Sequence, residues 1–379
     1  MKTLDQKPRE LPKMKLSHLS RMTDSTGIFQ HAVFSVPNFS EGYCTDDNAR
    51  AFILAVLLGE LGEDPAAVRS LATTSAAFLH HAFDPKSMRF HNHLSFDRRW
   101  RDEQGSEDSH ARALWALGIG VGRSRSRSFQ MLAGQLFAQA LPALTGFTSP
   151  RAWAFGLIGI HEYLRRLSGD SLVNQTRETL TTWLMEHFEA SAQPDWQWFE
   201  AELSYDNAKL AHALILSGQA TGQRAVLERG LQALRWLTAL QTSEKDHFRP
   251  IGSNGFYHRG GTRAEFDQQP VEAQATVSAC LEAYRATSDL CWYQHAQRAF
   301  DWFLGWNDLG LELYRPETGG CCDGLHVDRV NRNQGAESTL AFLLSLAEMQ
   351  LEQNVRTSFR QPTLVDDGAA AFSERGAQR

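Results

Sequence analysis

The sequence predicts an all-α protein, and within that class an (α/α)6 toroid in which inner and outer helices alternate. Six Ala-rich apolar segments each open with a cluster of acidic, amide, Ser or Pro residues. They recur at intervals of about 40–65 residues, a spacing typical of repeat architectures. Segments with a single apolar stripe, as in surface helices, lie between them. An open α-solenoid built from the same repeats is the alternative arrangement.

The first inner helix is predicted within residues 41–62, where Asp46 and Asp47 precede an almost wholly apolar run. A helix that is apolar nearly all round belongs in the interior of a large protein. Thr45 or Asp46 is sufficient as the N-cap of this helix. Asp47 is therefore either a second acid that complements the helix dipole or a residue of a functional site.

The remaining helices are predicted from the same signals. Ser, Asp or Asn caps and Pro in the first turn mark where the inner helices begin. The other five inner segments are 106–120, 149–164, 204–218, 269–284 and 333–349. The outer helices are expected at 65–82, 126–141, 172–189, 223–241 and 289–304, and the segment around 12–22 is left to pair with the sixth inner helix.

Alternation of inner and outer helices makes all inner helices parallel, so that their N-termini converge at one end of the barrel. Residues 20–352 are expected to form this barrel, after an N-terminal extension at 1–19 and before a loose C-terminal tail at 353–379. The polar openings of the inner helices then face one shared, funnel-shaped mouth. Acids at these openings become candidate catalytic residues.

Two carboxylates in different environments are what the cleavage of a glycosidic bond requires. Asp47 and Asp108 open consecutive inner helices and are the predicted pair. Asp47 is expected to be the base, because a helix N-terminus favours ionisation. Asp108 is expected to be the acid, because the adjacent Glu107 favours retention of a proton. Glu272 and Glu337, which open later inner helices, are the reserve candidates.

Polar and aromatic residues near the helix openings are candidate substrate-binding groups, because aromatic faces pack on sugar rings and polar groups bind hydroxyls. These candidates are Asp46, Asn48, Arg50, Glu107, His110, Trp153, Trp196, Trp198, Tyr205, Asp206, Asn207, Tyr257, His258 and Arg263. Structural alternatives stay open for them. Glu107 can pair with Arg112 on the rim, and Trp196 and Trp198 can anchor their loop to the barrel.

Composition excludes several classes of protein. A net charge of −6 over 379 residues argues against a nucleic-acid-binding surface, and no apolar run is long enough for a membrane span. The N-terminal residues lack an apolar signal segment, and five cysteines without zinc-ligand spacing indicate free thiols, so a cytoplasmic location is expected.

His91 and His93 have no third ligand at a suitable spacing, so no metal is expected. Neither Gly-rich loop leads into a strand–helix unit, so no cofactor is expected.

Three segments carry a resemblance to a known family: GIFQHAVFSVPNFSEGYCTDDNARA, HLSFDRRWRDEQGSEDSHARALWALG and FEAELSYDNAKLAHALI. They resemble a bacterial family of glycoside-hydrolase-like (α/α)6 domains that occur alone or C-terminal to glycosyltransferases. The resemblance covers most of residues 20–350 and implies the barrel fold, with a glycosyltransferase as a candidate partner. Adjacent aspartates at an inner-helix opening are also similar to the α-1,6-mannanase and unsaturated glucuronyl hydrolase families.

Three functions remain open at this point, all on small-molecule carbohydrates. The first is a cytoplasmic glycoside hydrolase acting on mannose- or glucose-containing oligosaccharides. The second is an epimerase or isomerase similar to N-acylglucosamine 2-epimerase, with His110, His258 and His326 as candidate acids and bases. The third is a non-catalytic carbohydrate-binding domain that serves a glycosyltransferase. A hydrolase requires two essential carboxylates, an epimerase two essential histidines, and a binding domain neither.

Overall fold

A computed structural model describes residues 10–360 and confirms the all-α barrel. Its helices are α1 (Ser17–Met22), α2 (Thr45–Leu61), α3 (Pro65–Ala82), α4 (Glu107–Gly122), α5 (Arg127–Ala140), α6 (Pro150–Leu164), α7 (Ser171–Ser191), α8 (Ala208–Thr221), α9 (Arg224–Leu240), α10 (Pro270–Thr287), α11 (Leu290–Asp301) and α12 (Ala336–Arg360). Short 3-10 helices occupy Phe39–Glu41, Leu141–Gly146 and Trp302–Leu304. The even-numbered helices are the predicted inner helices.

The inner helices form a closed ring. Helices α2, α4, α6, α8, α10 and α12 each contact the next in this order, and α12 contacts α2. This last contact rules out the open solenoid, in which the first and last repeats would lie far apart. Helices α3, α5, α7, α9 and α11 each pack outside the inner helix that precedes them. No helix within residues 10–360 is long and apolar enough to cross a membrane.

The ends of the barrel differ from the predicted domain boundaries. Helix α1 packs on α12 as the sixth outer element and buries His18, Leu19 and Met22. The predicted boundary after residue 19 therefore falls inside a packed helix. At the other end, residues 353–360 continue α12, and the part of the predicted tail at 361–379 lies outside the described residues, as do residues 1–9.

Twelve two-residue strands pair as six antiparallel ladders within the described chain. They are β1 (Ala32–Val33), β2 (Val36–Pro37), β3 (Tyr43–Cys44), β4 (Phe83–Asp84), β5 (Arg89–Phe90), β6 (His93–Leu94), β7 (Glu202–Leu203), β8 (Tyr257–His258), β9 (Tyr314–Arg315), β10 (Gly320–Cys321), β11 (Gly324–Leu325) and β12 (Val330–Asn331). The pairs are β1–β2, β3–β6, β4–β5, β7–β8, β9–β10 and β11–β12. Every one of these strands lies in a segment that leads into an inner helix. Long, structured loops therefore surround the N-terminal ends of the inner helices, and short connections lie at the other end.

Two glycines set the distance between α4 and α6. A Cβ atom at Gly118 would lie 2.1 Å from the carbonyl oxygen of Gly159, and one at Gly159 would lie 2.7 Å from that of Leu114. Real carbon atoms do not approach a backbone oxygen this closely. The two inner helices pack backbone to backbone here because neither residue carries a side chain.

Replacing Gly118 with Ala should lower the free energy of unfolding by about 1–3 kcal/mol, the usual cost of overpacking, because the backbone of α6 must move. Urea denaturation followed by circular dichroism measures this change. Gly169→Ala is the matched control, since a Cβ there meets nothing within 4 Å. Unchanged stability of the Gly118 variant would show that α4 and α6 are not in fixed contact.

Candidate active site

Buried arginines connect the openings of the inner helices. The Arg112 guanidinium, on α4, donates from Nε to Asp46 Oδ1 at 2.9 Å and from Nη2 to Asp206 Oδ2 at 2.8 Å. It also lies over the Phe155 ring, 4.0 Å from the ring centroid. Because its partners come from the first turn of α2 and from just before α8, this one side chain joins three helix openings across the mouth.

Arg50 joins two further carboxylates. Its Nη1 donates to Asp47 Oδ1 at 3.2 Å and its Nη2 to Glu337 Oε2 at 2.8 Å, so that α2 and α12 are linked. The two acids differ in environment, because 3% of the Asp47 side chain is exposed against 47% of Glu337. A buried and a half-exposed carboxylate thus share one guanidinium.

Burial determines the protonation of Asp47. It raises the pKa of this carboxyl to about 6, even though Arg50 acts in the opposite direction, and Glu337 adds to the increase. The Cys44 thiol donates to Asp47 Oδ2 at 3.0 Å. Loss of solvent outweighs the modest effect of the helix N-terminus that the sequence-based expectation relied on. Asp47 therefore keeps its proton up to about pH 6, well above the pH at which an ordinary aspartate ionises.

Asp108 occupies a different part of the mouth. Its two oxygens accept hydrogen bonds from the Ser149 hydroxyl at 2.7 Å and from the Tyr205 hydroxyl. Glu107 was expected to favour a proton on Asp108. It instead accepts hydrogen bonds from the backbone N–H groups of Thr148 and Ser149 at 2.8 Å each. Both acids hold the start of α6 against the start of α4. Within residues 10–360 no hydrogen bond links Asp47 with Asp108, and their action as a catalytic pair stays a prediction.

A carboxyl–amide contact joins the openings of α8 and α10. Asn207 donates from Nδ2 to Glu272 Oε2 at 2.9 Å, whereas Glu272 Oε1 is buried without a hydrogen-bond partner among the described residues. Burial, reinforced by the charge of Asp206, raises the pKa of Glu272 to about 8. Burial acts on Asp206 in the same direction, but Arg112, Arg50 and Lys209 outweigh it and hold the pKa of Asp206 below its ordinary value. Glu272 is therefore a neutral, buried residue in the first turn of α10.

A cavity of about 290 Å³ opens at the mouth between α2, α12 and the loops around them. Its lining residues are Gln30, His31, Cys44, Asp46, Asp47, Arg50, His93, Gln269, Asp323, Asn331, Gly335, Glu337 and Ser338. Four predicted site residues meet here: Asp46, Asp47, Arg50 and Glu337. His31 and His93 were not predicted to bind substrate, because each lies in a loop and neither has a helical spacing to any other site residue.

The three tryptophans predicted to stack on sugars are buried in the barrel wall. Trp196 and Trp198 are 3% and 0% exposed, and both pack against Trp236 of α9. Trp153 packs on Trp183 of α7 and donates its indole N–H to the Phe147 carbonyl at 3.0 Å. Large apolar faces are more stable between inner and outer helices than in water. These side chains therefore anchor loops and outer helices, as the structural alternative proposed.

Other predicted binding residues also have structural roles. His110 is fully buried between Phe90 and Phe147, its Nε2 lies 3.0 Å from the Ala140 carbonyl oxygen, and burial lowers its pKa to about 3. Asn48 accepts the Ile28 N–H at 3.1 Å and donates to the Cys44 carbonyl. These two polar side chains satisfy the backbone around the helix openings and do not line the cavity.

Three more of the predicted substrate-binding residues lie in the loop between α9 and α10. Arg263 donates to the backbone carbonyls of Leu240, Arg249 and Pro250, which ties the loop to the end of α9. Tyr257 packs on Trp196, and His258 is exposed with its Nδ1 3.5 Å from Glu202 Oε2. None of the three lines the cavity, because this loop covers the barrel rim on the side of β7.

Exposed aromatic rings do occur beside the cavity, on residues that sequence reasoning did not single out. Phe39 and Phe96 are each 50% exposed, and their rings are parallel with centroids 4.9 Å apart. Phe29 contacts both rings and directly precedes Gln30 of the cavity lining. Phe96 follows β6, which supplies His93. Their signal in the sequence is weak, since each is a single Phe in a short loop.

His91 and His93 lie in different surroundings. His91 stacks on Trp100 and its Nδ1 lies 2.9 Å from the Asp102 carbonyl oxygen, whereas His93 lines the cavity. Within residues 10–360 no group of three or more His, Cys, Asp or Glu side chains is arranged to hold a metal ion.

Several solved structures share the fold of this chain. A cellobiose 2-epimerase from Bacillus thermoamylovorans aligns with a TM-score of 0.68 at 12% identity, over 88% of this chain and 95% of that one. A sugar epimerase from a ruminal bacterium has a TM-score of 0.66 at 11% identity, over 89% and 97%. An α-1,6-mannanase of Salegentibacter sp., in complex with an α-1,6-linked mannotetraose, has a TM-score of 0.58 at 9% identity, over 89% and 97%. No protein-family model and no curated protein sequence matches the chain. At such identities the similarity establishes the (α/α)6 fold.

Glu272 should make the folded protein less stable as the pH rises. In the unfolded chain this carboxyl ionises near its ordinary pKa of 4.5, whereas the folded protein retains the proton up to about pH 8. Between these values the unfolded state binds fewer protons, so the free energy of unfolding falls by up to about 1.4 kcal/mol per pH unit. Glu272→Gln should remove this decrease between pH 6 and 8, the range above the pKa of about 6 for Asp47.

Urea denaturation of wild type and variant at several pH values in this range measures the difference between their slopes. Glu178→Gln, on the exposed face of α7, is the matched control and should follow the wild type. Parallel curves for wild type and Glu272→Gln would mean that Glu272 is ionised in the folded protein.

Proposed function

We propose that the protein is a carbohydrate-active enzyme that hydrolyses glycosidic bonds at the mouth of the barrel, with Asp47 as the general acid and Glu337 as the base or nucleophile. One observation carries this proposal: a single guanidinium, Arg50, joins a buried and a half-exposed carboxylate that line the same cavity. Glycoside hydrolysis requires two carboxyl groups that stay in different protonation states during one step.

The different surroundings of Asp47 and Glu337 indicate which of them is the acid and which is the base or nucleophile. Asp47 has a pKa raised to about 6 by burial, so that it can protonate the leaving oxygen in solutions up to about pH 6. Glu337 is half exposed and charge-paired with Arg50, which suits a carboxylate that attacks the sugar or activates water. Both groups contact one guanidinium, which holds them close enough to act on the same glycosidic bond.

The remaining lining residues suit the recognition of a sugar. Asp46 is held by Arg112 and keeps 24% of its side chain exposed, so a carboxylate oxygen is available to sugar hydroxyls. Gln30, Gln269 and Asn331 add amide donors and acceptors around the cavity. A volume of about 290 Å³ accommodates roughly one or two pyranose rings. The parallel rings of Phe39 and Phe96 extend this surface outwards, which favours an oligosaccharide over a free monosaccharide.

The comparisons support the same class of substrate. The solved mannanase that shares the fold was crystallised with its oligosaccharide as an inactive variant in which two consecutive aspartates are replaced by alanine. This chain carries two consecutive aspartates, Asp46 and Asp47, in the first turn of α2. Mannose-containing oligosaccharides are therefore the first substrates to test, followed by glucose-containing ones.

A sugar 2-epimerase or isomerase is the second candidate, and one observation favours it. His31 and His93 line the same cavity as the carboxylates, and two such groups could remove and return a proton next to a sugar carbonyl. Two of the solved structures that share the fold are epimerases. The histidines first considered for this chemistry, His110, His258 and His326, do not line this cavity.

Asp47→Asn and Glu337→Gln should each lower the rate of oligosaccharide hydrolysis by about 100-fold or more, the usual effect of removing a positioned acid or base. Release of reducing ends from α-linked manno- and gluco-oligosaccharides measures this rate. The wild-type rate should fall as the pH rises above about 6, because Asp47 then loses its proton. Glu41→Gln, an exposed acid beside the mouth, is the matched control and should keep full activity.

The epimerase alternative predicts the opposite result for the same two carboxylate variants. If both carboxylate variants keep their activity while His31→Asn and His93→Asn abolish conversion of a free reducing sugar, the hydrolase proposal is wrong. Incorporation of solvent deuterium at the sugar carbon would identify the epimerase directly, since hydrolysis leaves that hydrogen in place.

Phe39→Ala and Phe96→Ala should each weaken binding of an oligosaccharide by about 1 kcal/mol, close to a fivefold change in Kd, because each removes an aromatic face beside the cavity. Isothermal titration with the inactive Asp47→Asn variant as background measures this change. Leu172→Ala, which removes an equally exposed apolar side chain on α7, is the control. Wild-type affinity in both Phe variants would place the outer sugars elsewhere.

A further inference from the structure

A second cavity lies at the other end of the barrel. Its volume is about 650 Å³, and its walls come from all six inner helices, mostly from the middle and C-terminal parts of each. It shares no lining residue with the cavity at the mouth. Only short connections between inner and outer helices surround this end, so the cavity is formed by the barrel itself.

The helices give this end of the barrel a negative potential. Each α-helix carries about half a negative charge at its C-terminus. Because the six inner helices are parallel, their C-terminal ends all point towards this cavity. The effect falls off within the last turn, which is where the lining residues of α2, α6 and α8 are located.

The side chains add to the negative charge. Five glutamates and three arginines line the cavity, which leaves an excess of two negative charges. Arg285 binds Glu352 at 2.9 Å and Glu282 at 3.3 Å, and two further arginines pair in the same way near α4 and α6. Even when the buried Lys209 next to the cavity is counted, the acids outnumber the bases.

One carboxylate has no cationic partner within ion-pair distance. Glu348 accepts a hydrogen bond from the Ser278 hydroxyl at 2.6 Å, but no arginine or lysine side chain of residues 10–358 forms an ion pair with it, although the charges of Lys209, Arg123 and Arg285 act on it from further away. Its neighbours on α12 and α10 that face the cavity, Glu352 and Glu282, share one arginine. The half-buried Glu348 can therefore accept a hydrogen bond from a cation in the cavity.

A buried acceptor lies on the opposite wall. His212 of α8 is 8% exposed and lines the cavity, and its Nδ1 has no hydrogen-bond partner within the described chain. Burial, together with the nearby positive charges of Lys209 and Arg285, lowers the pKa of His212 well below its ordinary value. The ring is therefore neutral, and one of its nitrogens accepts a hydrogen bond. A buried polar atom without a partner is unfavourable unless a ligand or water satisfies it.

We infer that this cavity binds a small organic ammonium ion, of the size of a linear diamine. Glu348 and His212 accept hydrogen bonds from the ammonium groups, and the excess negative charge and the C-terminal ends of α2, α6 and α8 attract them. The apolar side chains of Ile158, Leu216 and Leu351 line the same cavity and pack against the carbon chain of the ligand. An anion is excluded by the same charges.

Isothermal titration of the full-length protein with putrescine tests this inference, with 1,4-butanediol as the uncharged analogue of the same length. Putrescine should bind at one site per chain and the diol should not. Glu348→Gln should weaken binding of putrescine by about tenfold, as expected when a charged acceptor is removed. Glu186→Gln, on the exposed face of α7, is the matched control for surface charge and should bind like the wild type.

Leu351→Lys provides a second, independent variant, because it places a tethered ammonium group in the cavity from a half-buried position on α12. It should abolish the binding of putrescine. Absence of binding to the wild type, equal binding of the diol, or equal losses in Glu348→Gln and Glu186→Gln would each overturn the inference. Activity at the mouth is not needed for this experiment, so its outcome is independent of the proposed hydrolase.

Discussion

The arrangement of the helix openings at the mouth depends on ion pairs between the buried Arg112 guanidinium and carboxylates from neighbouring helices. This guanidinium is buried among apolar inner helices, and a buried charge is tolerated only when it is paired and hydrogen-bonded. Asp46 and Asp206 meet that need from two different helix openings, and Phe155 covers the flat face of the group. Removal of either acid would leave an uncompensated charge in the barrel. Arg112 therefore fixes the relative positions of α2, α4 and α8, and with them the positions of the acids beside the cavity.

The helices of the barrel could be predicted closely from the sequence because their signals are local. Caps, apolar repeats and Pro residues predicted α3 at 65–82 and α6 from residue 149, within one residue of where they lie. Closure of the ring was predicted but not distinguished from an open solenoid, because only the contact between α12 and α2 separates the two. Asp46, Asp47, Arg50 and Glu337 were found for the same reason, since each lies in the first two turns of a strongly patterned helix.

The other parts of the site depend on contacts between distant segments. Trp196 and Trp198 precede an inner helix, but the side chain that covers them, Trp236, lies on the following outer helix. The raised pKa of Asp47 arises from burial by the assembled ring, which no local pattern reports. His93 reaches the cavity because β3 pairs with β6 across about 50 residues, and His31 because Phe29 bridges Tyr43 of β3, so their proximity is a product of the tertiary structure.

The contact between α12 and α2 has a consequence for synthesis of the protein. The flank of α2 that α12 covers emerges from the ribosome long before residues 336–360 do. Lys15 and Ser17 likewise bind the carbonyls of residues 301 positions later. At about 5–20 residues per second, roughly 15–60 s separate the synthesis of α2 from the synthesis of α12. During that time an apolar surface of α2 is exposed on the nascent chain. The completion of α12 therefore determines how long α2 depends on protection by chaperones.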